Sequence, residues 1–142
     1  MPARFLDANV LLRYFIRDDE EKAQRALALL QRVERGEERV ETSLIVIFEV
    51  VFTLERTYNV PRARMYDLVK PVLELRGLTL PGKSLLLDTL DRYAMTSRKL
   101  SFVDLYVALN AQSRGISEIY SWDKDFDRIE GIRRVEPNDA GA

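Results

Sequence analysis

The sequence predicts an α/β fold built on an open parallel sheet with helices on both faces. Short apolar stretches that fit strands alternate with longer stretches that fit helices, and this order is typical of a parallel sheet. The chain has 142 residues, of which 46% are hydrophobic and 32% charged, as in a globular domain. We expect one domain over residues 1–137, followed by a polar tail at residues 138–142.

The first half of the chain is predicted to contain two strands and three helices. Apolar residues recur at helical spacing after the first strand, and a cluster of acids then marks a helix N-terminus. A long apolar stretch without a turn signal favours a buried helix over a strand. The strands are expected at residues 3–6 and 40–42, and the helices around 10–15, from 18–21 to Gly36, and at 44–58.

The second half is predicted to alternate in the same way. Pro71 should kink or break the helix that spans residues 62–75, because proline lacks the backbone N–H that a helix interior needs. Ser101 can cap the last long helix, which runs to Gly115. The remaining elements are strands at 78–80, 119–120 and 132–135, a helix after Ser84, and a short helical turn after Asp123.

The absence of two residue types excludes several kinds of chemistry. The chain contains no cysteine and no histidine, so it cannot form a disulfide, a thiolate or imidazole zinc site, or a histidine-dependent catalytic triad. Its formal net charge is −1, so the protein as a whole is not a basic surface for nucleic acid. Any polar catalysis must therefore depend on carboxylates, hydroxyls, Lys, Arg or a metal held by oxygen ligands.

The location of the protein is also predicted from its apolar stretches. The N-terminus has no apolar signal region, and the longest apolar stretch, residues 44–52, is interrupted by Glu49 and is too short to span a membrane. The lack of cysteine is compatible with a reducing compartment. We expect a cytoplasmic protein without a membrane partner.

Two acids lie where ligands gather in parallel sheets. Asp7 follows the first predicted strand, and Asp123 follows the strand at 119–120. Ligands bind beyond the carboxyl ends of such strands, so both residues are candidates for chemistry. Each also has a structural explanation, because an aspartate at this position can cap the helix or turn that follows.

Glu49 and Asp104 are the other two candidates. Glu49 is an isolated carboxylate in an apolar stretch, so it must be paired, be protonated, line a cleft, or lie on a solvated stripe with Thr53 and Arg56. Asp104 follows Ser101 by three residues, which also fits a capping box. If the four acids converge, their repulsion requires a cation, and carboxylate oxygens suit Mg²⁺ or Mn²⁺.

These positions resemble four motifs of the PIN-domain ribonucleases, in particular the VapC-like toxins of type II toxin-antitoxin systems. The resemblance covers nearly the whole chain and agrees in order, spacing and type of element. The motifs are Phe5-Leu6-Asp7-Ala8-Asn9-Val10-Leu11, Ile47-Phe48-Glu49-Val50-Val51, Ser101-Phe102-Val103-Asp104-Leu105 and Ser121-Trp122-Asp123-Lys124-Asp125-Phe126.

The resemblance implies a PIN-like three-layer fold with a short, mostly parallel central sheet. It implies that an acidic quartet binds one or two Mg²⁺ or Mn²⁺ ions and that two polar residues support it. The quartet would be Asp7, Glu49, Asp104 and Asp123, with Asn9 and Ser121 in support. Asp125 and Asp127 remain alternatives to Asp123, which is preferred because it follows the strand directly.

The function implied by the resemblance is metal-dependent hydrolysis of RNA, which leaves 5′-phosphate and 3′-hydroxyl ends. The protein would be the toxin of a pair, would bind a cognate antitoxin, and would form a homodimer through large apolar residues such as Phe48, Phe52 and Tyr58. The main alternative is a catalytically inert PIN-like protein that binds RNA or an antitoxin. A receiver-like phospho-acceptor domain and a phosphatase with Asp7 as nucleophile are weaker alternatives.

Overall fold

The computed structural model describes residues 2–96 and 100–137. Within these residues the chain alternates short strands with six α-helices and ends in a 3₁₀ turn and a strand. The strands are β1 (Arg4–Phe5), β2 (Val40–Glu41), β3 (Leu78–Thr79), β4 (Glu118–Tyr120) and β5 (Arg133–Val135). The helices are α1 (Ala8–Ile16), α2 (Glu20–Glu34), α3 (Leu44–Arg56), α4 (Arg62–Leu73), α5 (Lys83–Met95) and α6 (Phe102–Ser113), and the 3₁₀ turn is Lys124–Arg128.

All the strand pairs described are parallel, so the predicted α/β class is confirmed. β1, β2 and β3 form one sheet in that order, with Arg4 opposite Val40 and Val40 opposite Leu78. β4 and β5 form a second ladder, with Glu118 opposite Arg133. The strands therefore form two ladders where the sequence predicts one central sheet. Each strand has only two or three residues, so each ladder contains few hydrogen bonds.

The side chains of Thr42 and Ser43 have separate tasks at the end of β2. The Ser43 hydroxyl accepts a hydrogen bond from the N–H of Val46 and so caps α3. The buried Thr42 hydroxyl donates to the carbonyl of Leu6 at 2.9 Å and thereby fastens the end of β1 to β2. The sequence left open which of the two residues is the cap, because both have a hydroxyl.

The core lies between the helices and the first sheet. α3 buries five apolar residues along its length, and α5 buries the whole of Tyr93. α4 keeps Pro71 inside its last turn and ends two residues later, so proline does not divide the predicted helix but shortens it. Gly77 lies between α4 and β3, and a Cβ there would lie 2.5 Å from the carbonyl oxygen of Glu38.

None of the helices described is long and apolar enough to cross a membrane. The expected polar tail, residues 138–142, lies outside the described residues.

Candidate active site

Three carboxylates form a compact group where α6 begins and where β4 leads into the 3₁₀ turn. One oxygen from each of Asp104, Asp123 and Asp125 lies within 4.8 Å of the others. Asp104 and Asp125 are half-buried, and Asp123 is exposed. We call these three residues the acidic group. Oxygens at this separation can bind one hard cation together.

Asp104 is held by the cap of its own helix. The Ser101 hydroxyl accepts a hydrogen bond of 3.0 Å from the backbone N–H of Asp104, as the capping-box pattern predicts. The hydroxyl and backbone N–H of Ser101 in turn interact with the Asp104 carboxylate. The capping role and a role in the acidic group are therefore compatible, because a carboxylate has more acceptor sites than the cap uses.

The hydrogen bonds that follow β4 place the other two acids. The Ser121 hydroxyl accepts a hydrogen bond of 2.9 Å from the N–H of Asp123, and an Asp123 carboxylate oxygen accepts one of 2.9 Å from the N–H of Asp125. The N–H of Ser121 itself donates to the carbonyl of Val135, which ties this loop to β5. Ser121 therefore lies where it orients Asp123.

Asp125 and Asp127 have different environments, although they are two residues apart. Asp127 accepts a hydrogen bond of 3.1 Å from the guanidinium of Arg134, which also donates to the carbonyl of Ser121 at 3.2 Å. The Arg134 side chain is only 12% exposed, so this ion pair is well shielded on one side. Asp127 is thus paired with Arg134, which also pairs with Glu136, whereas Asp125 belongs to the acidic group and forms a longer ion pair of 3.7 Å with Arg128.

The pKa of the Asp104 carboxyl is raised above its usual range. Burial is the main cause, because it disfavours the charged form, and the charges of Asp123 and Asp125 add to the effect. The hydrogen bonds from Ser101 lower the pKa but do not cancel the rise. A divalent cation between the three carboxylates would stabilise all of them in the charged form.

Asp7 and Glu49 do not belong to the compact group. Asp7 occupies the N-cap position of α1, but its exposed side chain accepts no capping hydrogen bond within the described chain. Glu49 is exposed on α3, so neither pairing nor protonation is needed to keep it there. Both carboxylates are thus open to solvent.

Asn9 lies in a different place from Ser121. It is exposed in the first turn of α1 and lines a cavity of about 810 Å³ bordered by α1, α2 and the first sheet. Of the six residues that the sequence singles out, the structure brings Asp104, Asp123 and Ser121 together, and it adds Asp125 to them.

A hydrogen-bonded network beside the acidic group was not foreseen. The buried Tyr93 hydroxyl donates to the carboxylate of Glu55, and burial, together with this neighbour, raises the pKa of Tyr93. The Arg62 guanidinium lies over the Tyr93 ring, 4.2 Å from its centroid, and donates to the carbonyls of Tyr93 and Leu100. No short motif marks these residues, because they come together from three helices only in the folded chain.

The comparisons with known proteins agree on one family. The PIN domain family matches residues 4–132. The chain is also 26% identical over 134 residues to a VapC ribonuclease of Aquifex aeolicus (strain VF5), an alignment that covers 94% of this chain and 96% of the relative. The chain described here therefore belongs to the PIN domain family and is similar to a VapC protein over nearly its whole length.

Proposed function

We propose that this protein is a metal-dependent endoribonuclease and the toxin of a toxin-antitoxin pair. The observation that carries the proposal is the acidic group, in which three carboxylates from two elements meet within 4.8 Å. Family membership and the similarity to a protein named VapC ribonuclease support RNA as the substrate. We place the reaction in the cytoplasm, where cellular RNA is available.

The residues present fit a divalent cation with hard oxygen ligands. Asp104, Asp123 and Asp125 would hold Mg²⁺ or Mn²⁺, because carboxylates are the ligands that these ions prefer. Asp7 and Glu49 would complete the site from β1 and α3, and their exposed carboxylates are accessible to a second ion or to hydrated ligands. Asp127 would not take part, because it is not among the three clustered carboxylates and pairs with Arg134 instead.

The chemistry we propose is in-line hydrolysis of a phosphodiester bond. The bound ion would activate a water molecule and stabilise the charge on the leaving 3′-oxygen. Ser121 keeps Asp123 in place through the 2.9 Å hydrogen bond from its backbone, and Asp123 orients Asp125 in the same way. The products would carry 5′-phosphate and 3′-hydroxyl ends.

A cognate antitoxin would be the natural partner of such an enzyme, because a free ribonuclease damages its own cell.

We also propose a homodimer. α3 and α6 pack together through the edge-to-face contacts of Phe48 with Phe102 and Tyr106. Beside this contact, α3 leaves Ile45 75% and Phe52 58% exposed, and α6 exposes Val103 and Val107. A second copy of the chain packed on this face would bury these apolar side chains and remove them from water.

The decisive experiment is cleavage of total cellular RNA by the purified protein with Mg²⁺, Mn²⁺ or EDTA. We expect cleavage with metal and none with EDTA, with 5′-phosphate ends on the products. Asp104→Asn should abolish cleavage, because it removes a charged ligand while keeping the size of the side chain. Asp67→Asn, at an exposed position of α4, is the matched control and should cleave like the wild type.

The same experiment tests the inert alternative. If the protein bound RNA equally with and without Mn²⁺ and never cleaved it, a binding protein would replace the enzyme. Equal cleavage by the wild type and Asp104→Asn, or cleavage that EDTA leaves unchanged, would indicate that the activity does not come from the acidic group.

A further inference from the structure

A polar groove extends away from the acidic group along the ends of four helices. It has a volume of about 870 Å³ and lies between the C-terminal ends of α3 and α5 and the N-terminal ends of α4 and α6. Its polar lining includes Glu55, Arg56, Asn59, Arg62, Asp104 and Asp125. Two members of the acidic group thus line the groove, and a substrate bound at those acids would also occupy it.

The two arginines of the groove differ in what their side chains already contact. The Arg62 guanidinium donates hydrogen bonds to the carbonyls of Tyr93 and Leu100 and lies over the Tyr93 ring. These contacts hold it in the wall of the groove. Arg56 is exposed, lies 5.4 Å from the centroid of the Phe52 ring, and has no ion pair with a carboxylate within residues 2–96 and 100–137. Arg56 is therefore available to bind an anion.

The periodicity of α3 places Arg56 in line with Glu49. The two residues are seven positions apart, which is about two helical turns and roughly 10 Å along the axis. Both are exposed, and Thr53 lies between them on the same face. One face of α3 thus carries a carboxylate of the proposed site and, farther along, an unpaired cation that faces the groove.

Asn59 adds a hydrogen-bonding group to the lining of the groove. Its backbone has a φ of +54°, a left-handed conformation that asparagine adopts more readily than most residues. It is exposed in the loop between α3 and α4, and its amide can both donate to and accept from a nucleobase or a ribose. A guanidinium can stack on an unpaired base or contact a phosphate, and an amide can hydrogen-bond a base edge, so both groups suit single-stranded RNA.

We propose that this groove holds the single-stranded RNA segment next to the scissile bond, with Arg56 and Asn59 as positioning residues. This inference rests on the proposed ribonuclease function and extends it to the path of the substrate. Arg56 contacts the phosphate backbone or stacks on a base, and Asn59 contacts a base edge or a 2′-hydroxyl. Neither residue belongs to the acidic group, so they determine which segment of RNA is bound and do not take part in the bond cleavage.

The first test is binding of a fluorescein-labelled single-stranded RNA of mixed sequence, measured by anisotropy in EDTA over a range of KCl concentrations. Arg56→Ala should weaken binding about fivefold to tenfold near 50 mM salt and reduce the slope of log K against log [salt] by about 0.7, the value for one phosphate contact. Arg56→Lys keeps the charge and should restore the slope. Arg114→Ala, an exposed arginine at the opposite end of α6 from Asp104, is the control and should bind like the wild type.

The variant at residue 59 must preserve the backbone. Asn59→Gly removes the amide, and glycine adopts a positive φ without strain, whereas alanine would be strained at this position. We expect weaker RNA binding with an unchanged salt slope, because the amide is neutral. With Mn²⁺, both Arg56→Ala and Asn59→Gly should raise the KM for RNA while kcat stays within about twofold of the wild type.

The outcomes separate this inference from the function on which it rests. If Arg56→Ala and Asn59→Gly bind and cleave RNA like the wild type while EDTA stops cleavage, the groove is not the RNA path and the ribonuclease proposal stands. If the protein never cleaves RNA but both variants weaken RNA binding, the groove proposal is supported and the enzymatic function is wrong. A loss of kcat without a change in KM or in RNA binding would also overturn the positioning role.

Discussion

The backbone N–H of Asp125 donates a 2.9 Å hydrogen bond to the carboxylate of Asp123, so the two acids turn together at the start of the 3₁₀ segment. This bond explains how two acids that are nearly adjacent in sequence both approach Asp104. The next acid along the chain, Asp127, pairs instead with Arg134. The loop after β4 therefore divides three similar aspartates into two groups with different electrostatic environments.

The different positions of Asp125 and Asp127 predict how metal binding depends on each of them. Mg²⁺ or Mn²⁺ should raise the Tm of the wild type, and an ion at about 100 times its Kd adds about 2.7 kcal/mol to the free energy of unfolding. Asp125→Asn should lose most of this increase, whereas Asp127→Asn should keep it, because Asp127 is not in the acidic group. Thermal melts with EDTA and with added metal measure the difference. An equal loss in both variants would contradict the assignment.

Burial of Asp104, together with repulsion from Asp123 and Asp125, predicts that the metal-free protein is destabilised by its own site. Because the folded state raises the pKa of Asp104, that state binds the proton more tightly than the unfolded chain does. The contribution of the Asp104 carboxyl to the free energy of unfolding is therefore greatest at low pH. It decreases as the pH rises through and above the usual aspartate range. In EDTA at neutral pH, Asp104→Asn should melt a few degrees higher than the wild type. Asp67→Asn is the control, and a lower Tm for Asp104→Asn would contradict the prediction.

The contact between Tyr93 and Glu55 predicts a structural role for a polar group in the core. Tyr93→Phe removes the hydroxyl that donates to Glu55 and should reduce the free energy of unfolding by about 1 kcal/mol. Urea denaturation followed by circular dichroism measures the change. Tyr120→Phe, at a tyrosine that is 69% exposed, should have almost no effect. If both variants unfolded at the same urea concentration, the hydrogen bond would contribute nothing.

The exposed apolar face of α3 predicts that association depends on a few side chains. Ile45→Glu or Phe52→Glu should convert a homodimer to a monomer in sedimentation equilibrium, because a charge on that face cannot be buried without a partner. Neither change should lower the Tm of the monomer much, since both side chains face solvent in a single copy. Ile116→Glu, at another exposed isoleucine, should leave association unchanged. A wild type that sediments as a monomer would contradict the proposed dimer.

Much of the fold follows from local patterns. The strands at short apolar runs, the cap at Ser101 and the end of α2 before Gly36 all depend on neighbouring residues, and they occur where the sequence predicts them. The limits of α4 differ by two residues, because the sequence shows where a proline weakens a helix but not how many residues beyond it remain helical. The separation of the strands into two ladders depends on contacts between distant segments.

The residues of the candidate site also fall into those that the sequence identifies and those that only the folded chain distinguishes. The sequence identifies Asp7, Glu49, Asp104 and Asp123 from the elements that precede or contain them, and it leaves Asp125 and Asp127 unresolved. Those two residues have the same side chain and similar neighbours in the chain. Asp125 has only a local arginine partner, Arg128, and lies beside Asp104, whereas the partner of Asp127 is Arg134 on β5, which approaches it only when β4 and β5 pair.

The sequence by itself thus determined the α/β class, excluded chemistry that needs cysteine or histidine, and indicated which acids are candidates for a site, because hydrophobic periodicity, capping patterns and composition are local or compositional properties. Only the tertiary structure decided which acids meet, that Asp127 pairs with Arg134 on β5, and that Arg56 and Asn59 border a groove that two members of the acidic group also line. These relationships join residues from different helices and strands. Their distances are therefore set by the packing of the whole chain, and no short segment of the sequence contains them.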